Sequence, residues 1–155
     1  MIREIKPTAS NGHHFILVAI DYFTKWVEAA SFASVTKNVV AQFIKNNLIY
    51  RYGIPERIIT DNGTNLNNAM ITELCTQFKI KHHKSSPYRP KMNGAVEAAN
   101  KNIKKIVQKM VVTYKDWHDI LPFSIHGYRI SVQTSTGETP FSLVYVMEVF
   151  LPVKV

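Results

Sequence analysis

The sequence predicts one mixed α/β domain in which helices cover a sheet, and three observations carry that expectation. Strand patterns crowd the first thirty residues. Strand and helix patterns then alternate toward the C-terminus, the signature of a sheet flanked by helices. A length of 155 residues with 46% hydrophobic content suffices for one real core and is too short for two ordinary domains.

In chain order, Ile2 to Ile5 reads as a short strand and Phe15 to Ile20 as a strong one. The turn signal Ser10-Asn11-Gly12 lies between them, so the two predict a hairpin. Tyr22 to Ala30 continues in β-branched and aromatic residues and predicts a third strand. Thr36 is placed to cap a helix whose apolar positions Val39, Val40, Phe43, Ile44 and Leu48 recur at helical spacing, ending before Gly53 and Pro55. Ile58 to Thr60 follows as a strand buried by its composition. Met70, Leu74 and Phe78 mark a short helix, and Lys79 to Ser85 an edge strand. Beyond the Pro-bounded loop Ser86-Pro87-Tyr88-Arg89-Pro90, the longest helix spans Ala95 to Tyr114 and another runs through Trp117 to Tyr128. Thr134 to Pro140 is a turn-rich loop before the final apolar segment. Trp26 and Trp117 are expected in the core. Gly127, inside a helix, weakens it by about 1 kcal/mol relative to Ala.

Composition bounds the function. Lys and Arg number 19 against 11 Asp and Glu, a net charge of +8 that suits a polyanionic partner. The single Cys75 rules out an internal disulfide and any Cys-based zinc module. The longest fully apolar run, Phe15 to Ile20, is far below membrane-spanning length, and Met1-Ile2-Arg3-Glu4 does not open a signal peptide. A soluble, intracellular protein without a membrane partner is expected.

The most informative residues are two acids separated by thirty-five others, Asp61 and Glu97. An apolar strand ending in Asp and breaking at Asn62-Gly63 holds a carboxylate at a sheet edge. A helix entered at Gly94, with Glu97 in its first turn, can bring a second carboxylate beside it. Two such groups suit a hard divalent cation such as Mg²⁺, which takes oxygen ligands and draws only one or two from protein.

The long helix separates two jobs by angle. At about 100° per residue, Val96, Ala99, Ile103, Ile106, Met110 and Tyr114 share the stripe expected to face the core. Glu97, Lys101, Lys104 and Gln108 fall on another. That second face reads either as a solvated surface with one Glu-to-Lys pair, worth a few tenths of a kcal/mol (about 0.2–0.5), or as a carboxylate with phosphate-holding lysines beside it. The helix N-terminus favours an ionised Glu97 and supports the second reading.

The segments Ile59-Thr60-Asp61-Asn62-Gly63-Thr64-Asn65, Pro87-Tyr88-Arg89-Pro90-Lys91-Met92-Asn93-Gly94-Ala95-Val96-Glu97 and Thr136-Gly137-Glu138-Thr139-Pro140-Phe141 resemble the catalytic core of integrases from gypsy-type long-terminal-repeat retrotransposons, relatives of retroviral integrases. The resemblance covers nearly the whole chain. It implies a ribonuclease-H-like fold, a mixed sheet flanked by helices, and a DNA strand-transfer enzyme using two Mg²⁺ or Mn²⁺ ions. Asp61 matches the second member of the family's acidic triad and Glu97 the third, so both are catalytic and metal-binding candidates. Tyr88 and Asn93 match the mobile loop beside the active site, and Lys101 and Lys104 match DNA-contacting lysines. The resemblance also implies dimers or tetramers, and a nuclear location.

The family's first triad acid falls immediately before Met1, so the chain is expected to start one residue too late and to assemble the ion pair poorly. Residues 1–145 then form a core-like domain lacking its extreme N-terminus, and 146–155 a tail leading toward an absent C-terminal module. Asp21, an acid ending a strand upstream of Asp61, is the alternative first member. It matches instead a family Asp closing the second strand, and an Asp before Tyr-Phe-Thr-Lys is more often a turn or capping acid.

Adjacent residues on a strand point to opposite faces, so neither His13-His14 nor His82-His83 makes a metal fork. His126-Gly127-Tyr128-Arg129 and Val146 depart from the family pattern and suggest a decaying element copy. Two other classes stay open: a ribonuclease-H-type nuclease, and a non-catalytic nucleic-acid-binding remnant.

Overall fold

A computed structural model of the chain describes residues 2–6, 8–21, 23–60, 69–84, 101–102, 104–110, 116–133 and 136–146. Strand β1 (Ile2–Glu4) pairs antiparallel with β2 (Phe15–Ile20), Ile2 opposite Leu17. Between them Gly12 turns the chain at φ 85, a conformation glycine adopts without steric cost, and its N–H donates to the Ala9 carbonyl. The expected hairpin is present. β2 also pairs antiparallel with β3 (Val27–Phe32), Phe15 opposite Phe32, and β4 (Arg57–Thr60) pairs parallel with β5 (Lys81–Lys84).

Alternation along β2 builds the layers. Ile16 and Val18 join Val27 in a core closed by Val107 and Met110 of the helix over 101–102 and 104–110 (α4) and by Trp117, Leu121, Ile125 and Tyr128 of α5 (Trp117–Arg129). Leu17, between them, faces the other way. It joins Val40, Ala41 and Phe43 of α1 (Lys37–Phe43) and Ile71, Leu74 and Cys75 of α3 (Ala69–Gln77). Trp117 is fully buried, and Trp26 is buried as well, as their composition predicted.

The third strand starts later than its residue types suggest. Asp21 Oδ1 accepts the N–H groups of Phe23 and Thr24, both at 2.9 Å, and Lys25 sits at φ 61, so this stretch is a tight turn and pairing begins at Val27. Tyr22 lies outside the described residues. The cap at Thr36 is as expected, its hydroxyl accepting from Val39 N at 3.2 Å. From Ile44 to Ile49 the helix widens to π geometry before α2 (Tyr50–Tyr52) ends it at Gly53, φ 88. A π-turn carries an extra residue per turn, so the buried set shifts and takes in Ile49, which α-helical spacing passes over.

The strand after α3 also begins late. Lys79 is left-handed at φ 56, and Ile80 N donates to Cys75 O while Lys79 N donates to Thr76 O, the paired bonds of a Schellman cap. That spends Lys79 and Ile80 on the helix end, leaving Lys81 to open β5. β4 is less buried than its composition predicted: Ile58 packs toward α1 and α3, but Ile59 is 40% exposed because the strand's other face is not packed shut. In α4, Ile106 and Met110 face the core as expected and Val107 joins them. Val96, Ala99, Ile103 and Tyr114 lie outside the described residues, as do Ser85 and residues 147–155.

Candidate functional site

Asp61, Tyr88, Asn93 and Glu97 lie outside the described residues, so the site is built here from the elements that lead to it. Asp61 follows Thr60 directly. Thr60 is buried, and its Oγ1 lies 2.8 Å from His82 Nε2 on β5, a cross-strand contact that pins the end of β4. On α4, Lys101, Lys104 and Gln108 are all exposed while Ile106, Val107 and Met110 are turned inward. The two lysines therefore present their charge to solvent from a helix whose opposite face is locked into the core.

Asp21 is committed elsewhere. Its carboxylate caps the β2–β3 turn through two backbone N–H groups, and its own N–H and carbonyl bond to Trp26 O and Lys25 N. His13 Nδ1 lies 2.8 Å from Ser31 Oγ, and His14 Nδ1 lies 3.2 Å from Gly12 O. Among the described residues no three His, Cys, Asp or Glu side chains gather to hold a metal ion. Nor is any described helix long and apolar enough to cross a membrane.

Sequence reasoning missed a cluster around Glu28. This carboxylate is buried on β3, and donors converge on it from several elements. Arg129 Nη2 of α5 stands 3.0 Å from Oε1, and Arg51 Nη1 of α2 stands 3.4 Å from Oε2. Trp26 Nε1 reaches Oε1 at 3.1 Å and the Tyr52 hydroxyl oxygen at 2.9 Å, and the Tyr52 hydroxyl itself donates to Oε1. Arg129 Nε and Nη2 also donate to the Val27 carbonyl, and its guanidinium lies 4.1 Å from the centroid of the Trp26 ring. The same indole meets the Tyr145 ring edge-on at 5.5 Å between centroids, and Tyr145 leans on Phe141. Burial, reinforced by the hydrogen bond and charge of Glu28, pushes the Tyr52 hydroxyl up to about 12. The cluster ties β3, α2, α5 and the π-turn Ser142–Val146 together. One local signal was available: Trp26 and Glu28 stand two apart, the spacing of one strand face.

The fold is ribonuclease-H-like. It matches the crystal structure of the catalytic core domain of BIV integrase with a TM-score of 0.76, over 96% of this chain and 93% of that one, at 23% identity. The Gag-Pol polyprotein of avian reticuloendotheliosis virus is 31% identical over 139 residues, which is 89% of this chain and 12% of the polyprotein. The retrovirus-related Pol polyprotein from transposon 412 of Drosophila melanogaster is 28% identical over 140 residues, 90% of this chain and 11% of the polyprotein. The chain thus spans about a tenth of the length of these relatives. A family described as the integrase core domain matches residues 2–90, more than half of the chain, and to that family, the integrase core domain, this protein belongs.

Proposed function

We propose that residues 1–145 are the DNA strand-transfer core of a gypsy-type retrotransposon integrase, that 146–155 lead out of it, and that it works as an oligomer on nuclear DNA. The observation that carries the reading is the order and spacing of the motifs ending in Asp61 and Glu97, on a chain of the integrase core family. The transposon 412 relative supports the retrotransposon subclass.

Asp61 and Glu97 offer hard oxygen donors of the type Mg²⁺ and Mn²⁺ take, so the donor chemistry fits, and these two would hold the metal. Bound there, a pair of ions supplies a lowered pKa at the attacking oxygen and neutralises charge at phosphorus. Lys101 and Lys104 hold DNA phosphates from the exposed face of α4. Tyr88 and Asn93 flank the DNA end. Positioning of this kind supplies much of the rate in such reactions.

The test is strand transfer by the whole chain on a recessed DNA end with Mg²⁺. Asp61→Asn or Glu97→Gln is expected to abolish turnover while DNA binding persists. Turnover that survives Asp61→Asn refutes the site. Turnover lost in Asp21→Asn moves the first carboxylate's role to Asp21. Salt-dependent DNA binding indifferent to Mg²⁺ and to Glu97→Gln, with no turnover, marks a non-catalytic remnant, and cutting of an RNA–DNA hybrid instead marks a nuclease.

A further inference from the structure

The outward face of the β4–β5 ladder is basic, and no role has been given to it above. In the parallel register Arg57 lies directly beside Lys81 and Ile59 beside His83, so these four share one face. The opposite face carries Ile58, which packs against the α1–α3 core, and Thr60, which is buried. Arg57 and Lys81 are exposed, and Ile59 between them and the strand end is partly exposed. Like charges placed directly across a ladder repel and destabilise the pair. Among the described residues only Glu56 answers them, reaching Lys81 at 3.9 Å from a carboxylate 83% exposed, an ion pair of little worth in water. No described carboxylate is within ion-pair distance of Arg57.

We propose that Arg57 and Lys81 form a phosphate-binding strip that holds duplex DNA flanking the point of reaction. This rests on the DNA-acting reading given above. A phosphate seated between the two side chains turns their repulsion into shared attraction, which neither a neutral partner nor a cationic one does. Arg57 and Thr60 stand three residues apart, about 10 Å along β4. A DNA strand advances about 3.4 Å per base pair, so the strip lies roughly three base pairs from the strand end that leads into Asp61. That distance assigns it to flanking backbone rather than to the scissile phosphate. The contact is to backbone alone and carries no base preference.

The experiment measures DNA affinity of the whole chain against salt concentration for the parent, Arg57→Gln with Lys81→Gln, and Lys101→Gln with Lys104→Gln. Each neutralised phosphate contributes about 0.9 to the slope of log affinity on log salt, so the Arg57/Lys81 double variant, which loses the one phosphate the pair shares, is expected to be shallower by roughly 0.9. Its loss is expected to be equal on duplexes of different sequence, to be restored by Arg57→Lys with Lys81 intact, and to vanish on a duplex too short to reach the strip. Circular dichroism is expected to show unchanged folding, because the substitutions relieve a like-charge pair at the surface. A parent-like slope in the Arg57/Lys81 variant, alongside a reduced slope in the Lys101/Lys104 variant, overturns the strip and leaves DNA binding by α4 standing. Absence of salt-dependent binding in the parent overturns both.

Discussion

A carboxylate taken out of water keeps its charge only where donors replace the lost hydration, and Glu28 draws them from Arg129, Arg51, Tyr52 and Trp26. The two arginines are unequal. The Arg51 side chain is 57% exposed and pays for its contact in entropy, whereas Arg129 is mostly enclosed and also holds the Val27 carbonyl and the Trp26 ring. Arg129→Met is therefore expected to destabilise by about 3 kcal/mol in urea unfolding, and Arg51→Met by under about 1 kcal/mol. Equal losses from the two would show that Glu28 is hydrated. Tyr52 offers an independent check. Its folded pKa is raised from 10.0 to about 12, so the stability it contributes is complete below pH 10 and is lost as pH rises through about 12. An alkaline absorbance titration is expected to lose one late phenol in Tyr52→Phe while the Tyr128 phenol, also pushed up by burial, remains; a titration unchanged in that variant would assign the shift to another tyrosine.

At the scale of elements, legibility followed the range of the deciding contact. The β1–β2 hairpin, the Thr36 cap and α5 were readable because a turn, a hydroxyl or an apolar spacing within a few residues decides each of them. The β2–β3 turn was half legible: Asp21 reads as a turn or capping acid and does cap the turn, but the aromatic and β-branched types that follow it read as strand. The π-turn was missed because a constant 100° per residue has no place for an inserted residue. Arg129 stands 102 positions from Val27, beyond any local pattern. In α5, Gly127 has open space where a Cβ would project and lies in ordinary helical backbone. Gly127→Ala is accordingly expected to stabilise by about 1 kcal/mol, through reduced backbone entropy of the unfolded chain. A thermal melt that moves down instead would mean that α5 needs the flexibility glycine supplies.

For the molecule as a whole, Asp61 and Glu97 were legible as sequence motifs and lie outside the described residues, while the packing of the elements between them in the chain became visible only in three dimensions. β2 contributes buried residues to both cores, Ile16 and Val18 on one side and Leu17 on the other. A strand six residues long cannot keep one face ordered while the other melts, because both faces share its backbone hydrogen bonds. The two cores are therefore expected to unfold together, as single domains of this size ordinarily do. Ile71→Val tests this from the α1–α3 side, where Ile71 is fully buried. It is expected to cost about 0.5–1.5 kcal/mol. Both tryptophans lie outside that core, Trp117 in the opposite one and Trp26 in the Glu28 cluster. Tryptophan fluorescence should nevertheless report the same shift in urea midpoint as far-ultraviolet circular dichroism. A fluorescence midpoint that stays at the parent value while the dichroism midpoint falls would show two independently melting halves, and β2 would then not couple them.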